Sequence, residues 1–323
     1  MKKTIFTLLS LCGIALGDYA PSGYTLVMGD EFDSGSLNSD NWGKFEYNSA
    51  GSNWVQFMSR DDDMYVCDAE AGTLNLKARY GEYSSQWKNL NQGDAYASGN
   101  TFASGAIYTN LAFQYGYVEV RARMDSAWGL WPAIWLYTTD GSKGGEIDML
   151  EHLNYSGSYY ITTHGNNSYH TTCVSYEGSR ADWHTYGMLW EENCITMYLD
   201  GRQVAQWTGL PTHDIEGNMF RLRLTQQIGG AWVGYSGADM MSNSGIQNNI
   251  NNNYDDEGKL IDSDGKDFEI DYVRIYQKSD ISSQYMLATM SLEDDFYAVV
   301  PEPATATLSL LALAALAARR RRA

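Results

Sequence analysis

Cysteine, histidine and basic residues are all scarce in this chain, and each shortage narrows what it can be. Of the four cysteines, Cys12 lies in an apolar N-terminal stretch. The remaining Cys67, Cys173 and Cys194 permit one disulfide and leave one thiol over, and no pair has the spacing of a zinc site. The five histidines are scattered. Lys plus Arg number 22 against 40 Asp plus Glu, a formal charge of −18. Six of the basic residues, Lys2, Lys3, Arg319, Arg320, Arg321 and Arg322, stand at the two ends, so the chain between them is more acidic still. This balance speaks against nucleic acid and anionic membrane surfaces as partners, and it disfavours highly sulfated glycans unless a local arginine patch overrides it. Most of the acidic excess reads as solvated surface. Long apolar runs are missing too: neither 5–16 nor 304–318 reaches the ~20 residues that a bilayer span needs.

The two ends read as sorting segments. Residues 1–17 carry Lys2 and Lys3, then an apolar stretch, then Ala15-Leu16-Gly17, the form of a cleaved secretory signal. Leu11 stands where a lipoprotein signal through Cys12 would need a small residue. At the other end Val300-Pro301-Glu302-Pro303 precedes an apolar run and four arginines. This resembles the PEP-CTERM sorting signal. The resemblance implies a protein delivered to the surface or exterior of a Gram-negative-type bacterium, touching membrane only during export and C-terminal processing. Residues 280–299, acidic and aperiodic, read as a linker, which leaves 18–279 as one domain.

With 323 residues, 44% hydrophobic and 13% aromatic, the chain can bury a sizeable core. Runs at 117–124, 183–190 and 195–199 alternate or are rich in aromatic and β-branched residues between Gly and Asn punctuation, and no long stretch of helical period interrupts them. The pattern predicts an all-β sandwich. The Asn-rich segment 242–256 reads as a long loop, placed to wall one end of a binding cleft.

Against this background the run Gly144-Gly145-Glu146-Ile147-Asp148-Met149-Leu150-Glu151-His152 stands out, because it sets three carboxylates among apolar residues. On a strand Glu146 and Asp148 share a face, and Glu151 has the wrong parity. One extra residue at Met149 or Leu150, a β-bulge, restores it. Three acids facing one cleft repel one another, so at least one keeps its proton near neutral pH. Two carboxylates flanking one bond are the apparatus of glycoside hydrolysis. The competing reading is a polar strand face with solvated acids. Flat rings that stack on sugars are plentiful nearby: Trp128, Trp131 and Trp135 upstream, Trp232 after Gly229-Gly230. Trp135 sits inside an apolar run and is most readily given to the core, whereas Trp131 and Trp232 adjoin Gly and Pro breaks. His164 is placed to face the cleft from the next strand, against the alternative of an ordinary strand histidine.

These residues resemble glycoside hydrolase family 16, in the branch with a bulged Glu-x-Asp-x-x-Glu motif that contains laminarinases and endo-β-galactosidases. The landmarks stand in family order: Gly29-Asp30-Glu31-Phe32-Asp33, Ser104-Gly105, Tyr115-Gly116-Tyr117-Val118-Glu119-Val120-Arg121, Trp131-Pro132-Ala133-Ile134-Trp135, the three acids, Trp183-His184-Thr185-Tyr186, Tyr198-Leu199-Asp200-Gly201 and Ile270-Asp271-Tyr272-Val273-Arg274-Ile275-Tyr276. The resemblance implies a β-jelly roll of two antiparallel sheets with a concave substrate cleft. It implies Glu146 as nucleophile, Glu151 as general acid and base, and Asp148 as the hydrogen-bond partner that sets the nucleophile's protonation, in a secreted endo-acting retaining enzyme on oligo- or polysaccharide. No cofactor is implied for catalysis; a structural Ca2+ is, with Asp271 at the matching position. The chain departs from laminarinases at Ser52-Asn53-Trp54-Val55-Gln56 and at Thr225-Gln226-Gln227. Asn53 and Gln227 thereby become candidates for sugar contact, and the expectation moves from β-1,3-glucan towards β-1,4-galactosyl linkages of poly-N-acetyllactosamine and mucin-type O-glycans. An endo-β-1,3-glucanase and a non-catalytic glycan-binding jelly roll are the alternatives.

Overall fold

A computed structural model describes residues 20–44, 58–81, 101–139, 145–165, 168–210, 215, 218–254 and 257–278, and the backbone of 286–287. The expected leader, the C-terminal sorting segment, nearly all of the linker, and Asn53 lie outside the described residues.

Period-two alternation builds two large antiparallel sheets. The first runs Arg202–Thr208, Cys194–Leu199, His184–Glu191, Gly116–Met124, Lys266–Lys278, Thr73–Gly81, Tyr65–Asp68. The second runs Ser168–Ser175, Ser158–Gly165, Glu146–His152, Leu130–Thr138, Phe220–Ile228, Ala106–Thr109, Trp42–Lys44. Val118, Val120, Val273 and Ile275 of the first meet Ile134, Leu136, Leu150, Leu222 and Leu224 of the second in one buried core. Trp190, wholly buried, packs edge-on against Phe220 with 5.1 Å between ring centres and ties the layers together. The architecture is the jelly roll that the alternation and the landmarks predict.

Several landmarks prove to be fasteners. Asp30 accepts the Trp42 indole N–H at 2.8 Å and the Phe32 amide at 3.0 Å. Glu31 holds Arg274 by two parallel hydrogen bonds of 2.8 and 2.9 Å, and the same guanidinium lies 3.8 Å over the Tyr272 ring. Glu119, fully buried, is satisfied by the hydroxyls of Tyr117 at 3.0 Å and Tyr272 at 2.8 Å. A buried carboxylate is tolerable only when its lone pairs are filled in this way.

Two expectations change. Much of the Asn-rich segment is helical rather than loop, with helices Gly237–Ser242 and Ser244–Asn251. Asn243 starts the second by accepting the amides of Gly245 and Ile246, and Ile246 and Ile250, one turn apart, bury one stripe beside Phe102, Leu130 and Met240. Capping and a two-residue apolar stripe suffice here despite the poor helix propensity of Asn. The three cysteines are all free, so the permitted disulfide is not formed.

Gly116 explains why its landmark needs glycine. Its φ is +137°, and a Cβ there would lie 2.5 Å from the Tyr276 carbonyl oxygen. Gly116→Ala should therefore cost roughly 2–4 kcal/mol from backbone strain and overpacking, read as a lower urea midpoint at unchanged m-value. An unaltered midpoint would mean that the adjoining strand end yields freely.

Candidate active site

The strand Glu146–His152 has the bulge that the three acids require. Against Leu130–Thr138, Glu146 faces Tyr137, Asp148 faces Trp135, Leu150 faces Ile134 and Glu151 faces Ala133, so Met149 is the extra residue. Against Ser158–Gly165 the register slips between Asp148 and Glu151 in the same way. Ile147, Met149 and Leu150 go into the core, and the three carboxylates emerge together on the other face.

That face is floored by residues of matching parity. Trp131, Ala133, Trp135 and Tyr137 line it from one neighbouring strand, while Tyr160, Thr162 and His164 flank the acids from the other. One strand further, the order is Arg221 beside Tyr137, Arg223 beside Trp135, Thr225 beside Ala133 and Gln227 beside Trp131. Trp135 donates its indole N–H to Thr225 Oγ1 at 3.2 Å, and the Arg223 guanidinium lies 4.7 Å from both the Trp135 and the Tyr137 ring centres. Trp135 is thus part of the cleft floor, not of the core to which the apolar run assigned it. Its strand is buried on both faces, so hydropathy alone could not orient it.

The imidazole of His164 sits between two acids, its Nε2 3.1 Å from Asp148 Oδ2 and 3.6 Å from Glu146 Oε1. Burial, then the Asp148 charge, pushes Glu146 up to about 8, against the pull of His164 and Arg223. Asp148 is raised well above its usual value by burial. Glu151 is raised as well, by burial first and then by Asp148, with His164 and the Trp131 indole opposing. At neutral pH the trio therefore retains protons instead of holding three negative charges.

Other candidates fall as follows. Trp131 is buried with Val233 against Leu153, Trp232 and Tyr235, and Trp232 in turn packs on Tyr160 at 5.1 Å, making an aromatic wall on the Glu151 side. Trp128 is 48% exposed and meets Tyr155 edge-on at 5.1 Å, at the rim and not on the floor. Gln227 has cleft parity and donates to Thr225 at 3.2 Å. Gln226 has core parity, so only one of the two glutamines faces the acids. Asp271 is the extra residue of a bulge in the strand Lys266–Lys278, and its carboxylate is ion-paired with Arg121. A lone carboxylate already held by a guanidinium does not suit a calcium ion, which takes six to eight oxygens. Among the described residues, the group of acidic and histidine side chains close enough to share a cation is Glu146, Asp148 and His164, within 4.8 Å of one another. Arg221, Arg223, Tyr137 and Tyr160 escaped the sequence reading, although the alternation in Phe220-Arg221-Leu222-Arg223-Leu224 is a signal for the arginines.

Residues 53–251 match the profile of the glycosyl hydrolases family 16. The chain belongs to that family. Residues 299–322 match the PEP-CTERM protein-sorting motif, a mark of export to the cell surface or exterior in Gram-negative bacteria. A β-glucanase of Rhodothermus marinus is 27% identical over 271 residues, 74% of this chain and 89% of that protein. A keratan-sulfate endo-1,4-β-galactosidase of Sphingobacterium multivorum is 27% identical over 238 residues, 67% of this chain and 51% of that protein. A structure solved in work on endo-acting O-glycanases with which human gut bacteria initiate mucin breakdown superposes with TM-score 0.62 at 23% identity, covering 82% of this chain and 94% of that one. The family 16 protein is an endo-acting glycoside hydrolase of glycans.

The raised acid makes stability fall with pH. An unfolded Glu146 releases its proton near 4.5 and the folded one near 8, so between these values the folded state binds more protons and loses stability as pH rises. Glu146→Gln has no proton to lose. It should melt at the same temperature as wild type near pH 4 and above it at pH 8, each kcal/mol of relief showing as about 2–4 °C for a domain of this size. An equal Tm at both ends would deny the burial of the charge.

Proposed function

We propose that this family 16 hydrolase cleaves internal β-glycosidic bonds with retention, and that its substrates are galactose-containing chains of the poly-N-acetyllactosamine type. Glu146 attacks the anomeric carbon while Glu151 gives its proton to the departing oxygen; Glu151 then takes a proton from water as the glycosyl ester on Glu146 is hydrolysed. The observation that carries the assignment is an asymmetry. Both His164 and Arg223 oppose the rise of Glu146, which releases its proton near 8, whereas His164 and the Trp131 indole oppose the rise of Glu151, which is held well above its usual value; Glu146 is therefore the acid that ionises as the nucleophile while Glu151 keeps its proton for the leaving group. Asp148, with His164 beside it, shares a hydrogen bond with Glu146 and governs which of the two is charged.

Galactosyl specificity is supported by the departures from the laminarinase pattern, of which Gln227 lies on the cleft face, and by the similarity to the keratan-sulfate galactosidase. The β-glucanase similarity spans more of both chains and favours endo-β-1,3-glucan hydrolysis as the second reading.

In Glu151→Ala, turnover of activated aryl glycosides should collapse and be restored by azide, with a β-glycosyl azide as product. An α-azide would mean inversion and a wrong pair of acids. Mass spectrometry of products should find galactose at the new reducing end from poly-N-acetyllactosamine, with slower action on laminarin. A preference for laminarin would overturn the substrate and leave the acids in place.

A further inference from the structure

Beside Arg223, which bears on Glu146, the cleft floor carries a second guanidinium, Arg221, that the bond cleavage does not use. In Phe220–Ile228, Phe220, Leu222 and Leu224 point into the core, which forces Arg221 and Arg223 onto the acid-bearing face. They lie two strands from the acids, with Arg221 in line with Glu146 through Tyr137 and Arg223 in line with Asp148 through Trp135. At one strand spacing per step that is roughly 10 Å, over a neighbouring sugar and not over the bond being cut. Both guanidiniums lie over aromatic rings, Arg223 4.7 Å from the centres of Trp135 and Tyr137 and Arg221 5.8 Å from the centre of Tyr108. Arg60 adds its charge to theirs around the Tyr108 hydroxyl, at the sheet edge where a pocket of about 670 Å³ opens between Trp42, Arg60, Tyr65, Tyr108 and the Lys44–Asp62 ion pair. Burying guanidinium is costly, enough to bring Arg223 down to about 10. Two arginines on the cleft face with a third at its edge are a concentration of charge in a chain with 22 basic residues.

We propose that Arg221, Arg223 and Arg60 form an anion-recognition row, and that the preferred glycan carries an anionic substituent, a sulfate ester or a carboxylate, on the sugar lying beyond Tyr137 on the Glu146 side. A guanidinium fork meets the paired oxygens of either group, and contact with the rings restricts its freedom beforehand. The inference rests on the cleft being the substrate cleft of the proposed hydrolase. The row supplies the local arginine patch that would override the net charge of −18.

The test compares three matched N-acetyllactosamine oligosaccharides, one neutral, one 6-sulfated and one sialylated, by calorimetric binding to Glu146→Gln and by kcat/KM of the wild type. One anionic member should be favoured over the neutral one by roughly ten-fold or more, and which one identifies sulfate or carboxylate as the group. Arg221→Gln should lower that ratio several-fold, Arg221→Lys should recover part of it, and raising salt from about 0.05 to 0.5 M should shrink it in wild type. Arg221, half-buried like Arg223, is the member that does not bear on Glu146, and the lysine variant and the salt series read the same ratio should the glutamine variant fold poorly. Equal or weaker binding of both anionic glycans, or a preference that survives Arg221→Gln, would overturn the row. Anionic preference in binding without hydrolysis of any glycan would instead sink the hydrolase reading and leave the row standing.

Discussion

Everything at this site depends on one residue that the sheet does not count. With the extra residue Met149 in the ladder, Leu150 and Glu151 regain the parity that a regular strand would deny them. Without it Glu151 would face the core and Leu150 the sugar, an exchange that would bury an unpaired acid and expose a leucine. The core thus helps to select the bulge: Ile147, Met149 and Leu150 are each buried between the sheets, and their apolar area opposes any return to regular register. Packing on one face thereby fixes the positions of proton donors on the other.

The same arrangement makes the site electrostatically expensive. Three carboxylates are removed from water within one bulged turn of strand, and all three shift towards the protonated form. What stands against this is specific: an imidazole between Glu146 and Asp148, and a guanidinium reaching Glu146 across two aromatic rings. The aromatic floor has a double duty. Trp135 and Tyr137 exclude water, which strengthens every charge effect above them, and both rings also lie against the Arg223 guanidinium.

Much of this was legible in the sequence because it follows from parity. The bulge came from the mismatch between Glu146 and Glu151, and the sandwich from runs such as 117–124, observed as Gly116–Met124. Legibility failed where parity had no contrast to work on. Leu130–Thr138 is buried along its whole length, so the sequence offered no polar face by which to orient Trp135. Gln226 and Gln227 stand side by side in the departure from the laminarinase pattern, but consecutive strand residues cannot share a face, and Gln226 turns inward. The helix at Ser244–Asn251 was hidden by asparagine, whose weak propensity is outweighed by its capping at Asn243 and by the burial of Ile246 and Ile250. Asp271 carried the family's metal expectation, but a bulge and Arg121 give its carboxylate another partner.

Net charge is a poor guide to what such a cleft accepts. Over distances beyond ~8 Å, physiological salt screens the acidic surface, so the excess of 40 acids over 22 basic residues governs solubility and approach more than contact. Within the cleft the relevant charges are few and close. Acids that keep their protons contribute little repulsion there, and arginines that cannot lose theirs contribute their full charge. Burial alone therefore makes the local field of the cleft floor more positive than its composition suggests: desolvation removes negative charge from carboxylates readily and positive charge from guanidinium hardly at all. An acidic protein can in this way present a cationic cleft at neutral pH without adding a single basic residue to its surface.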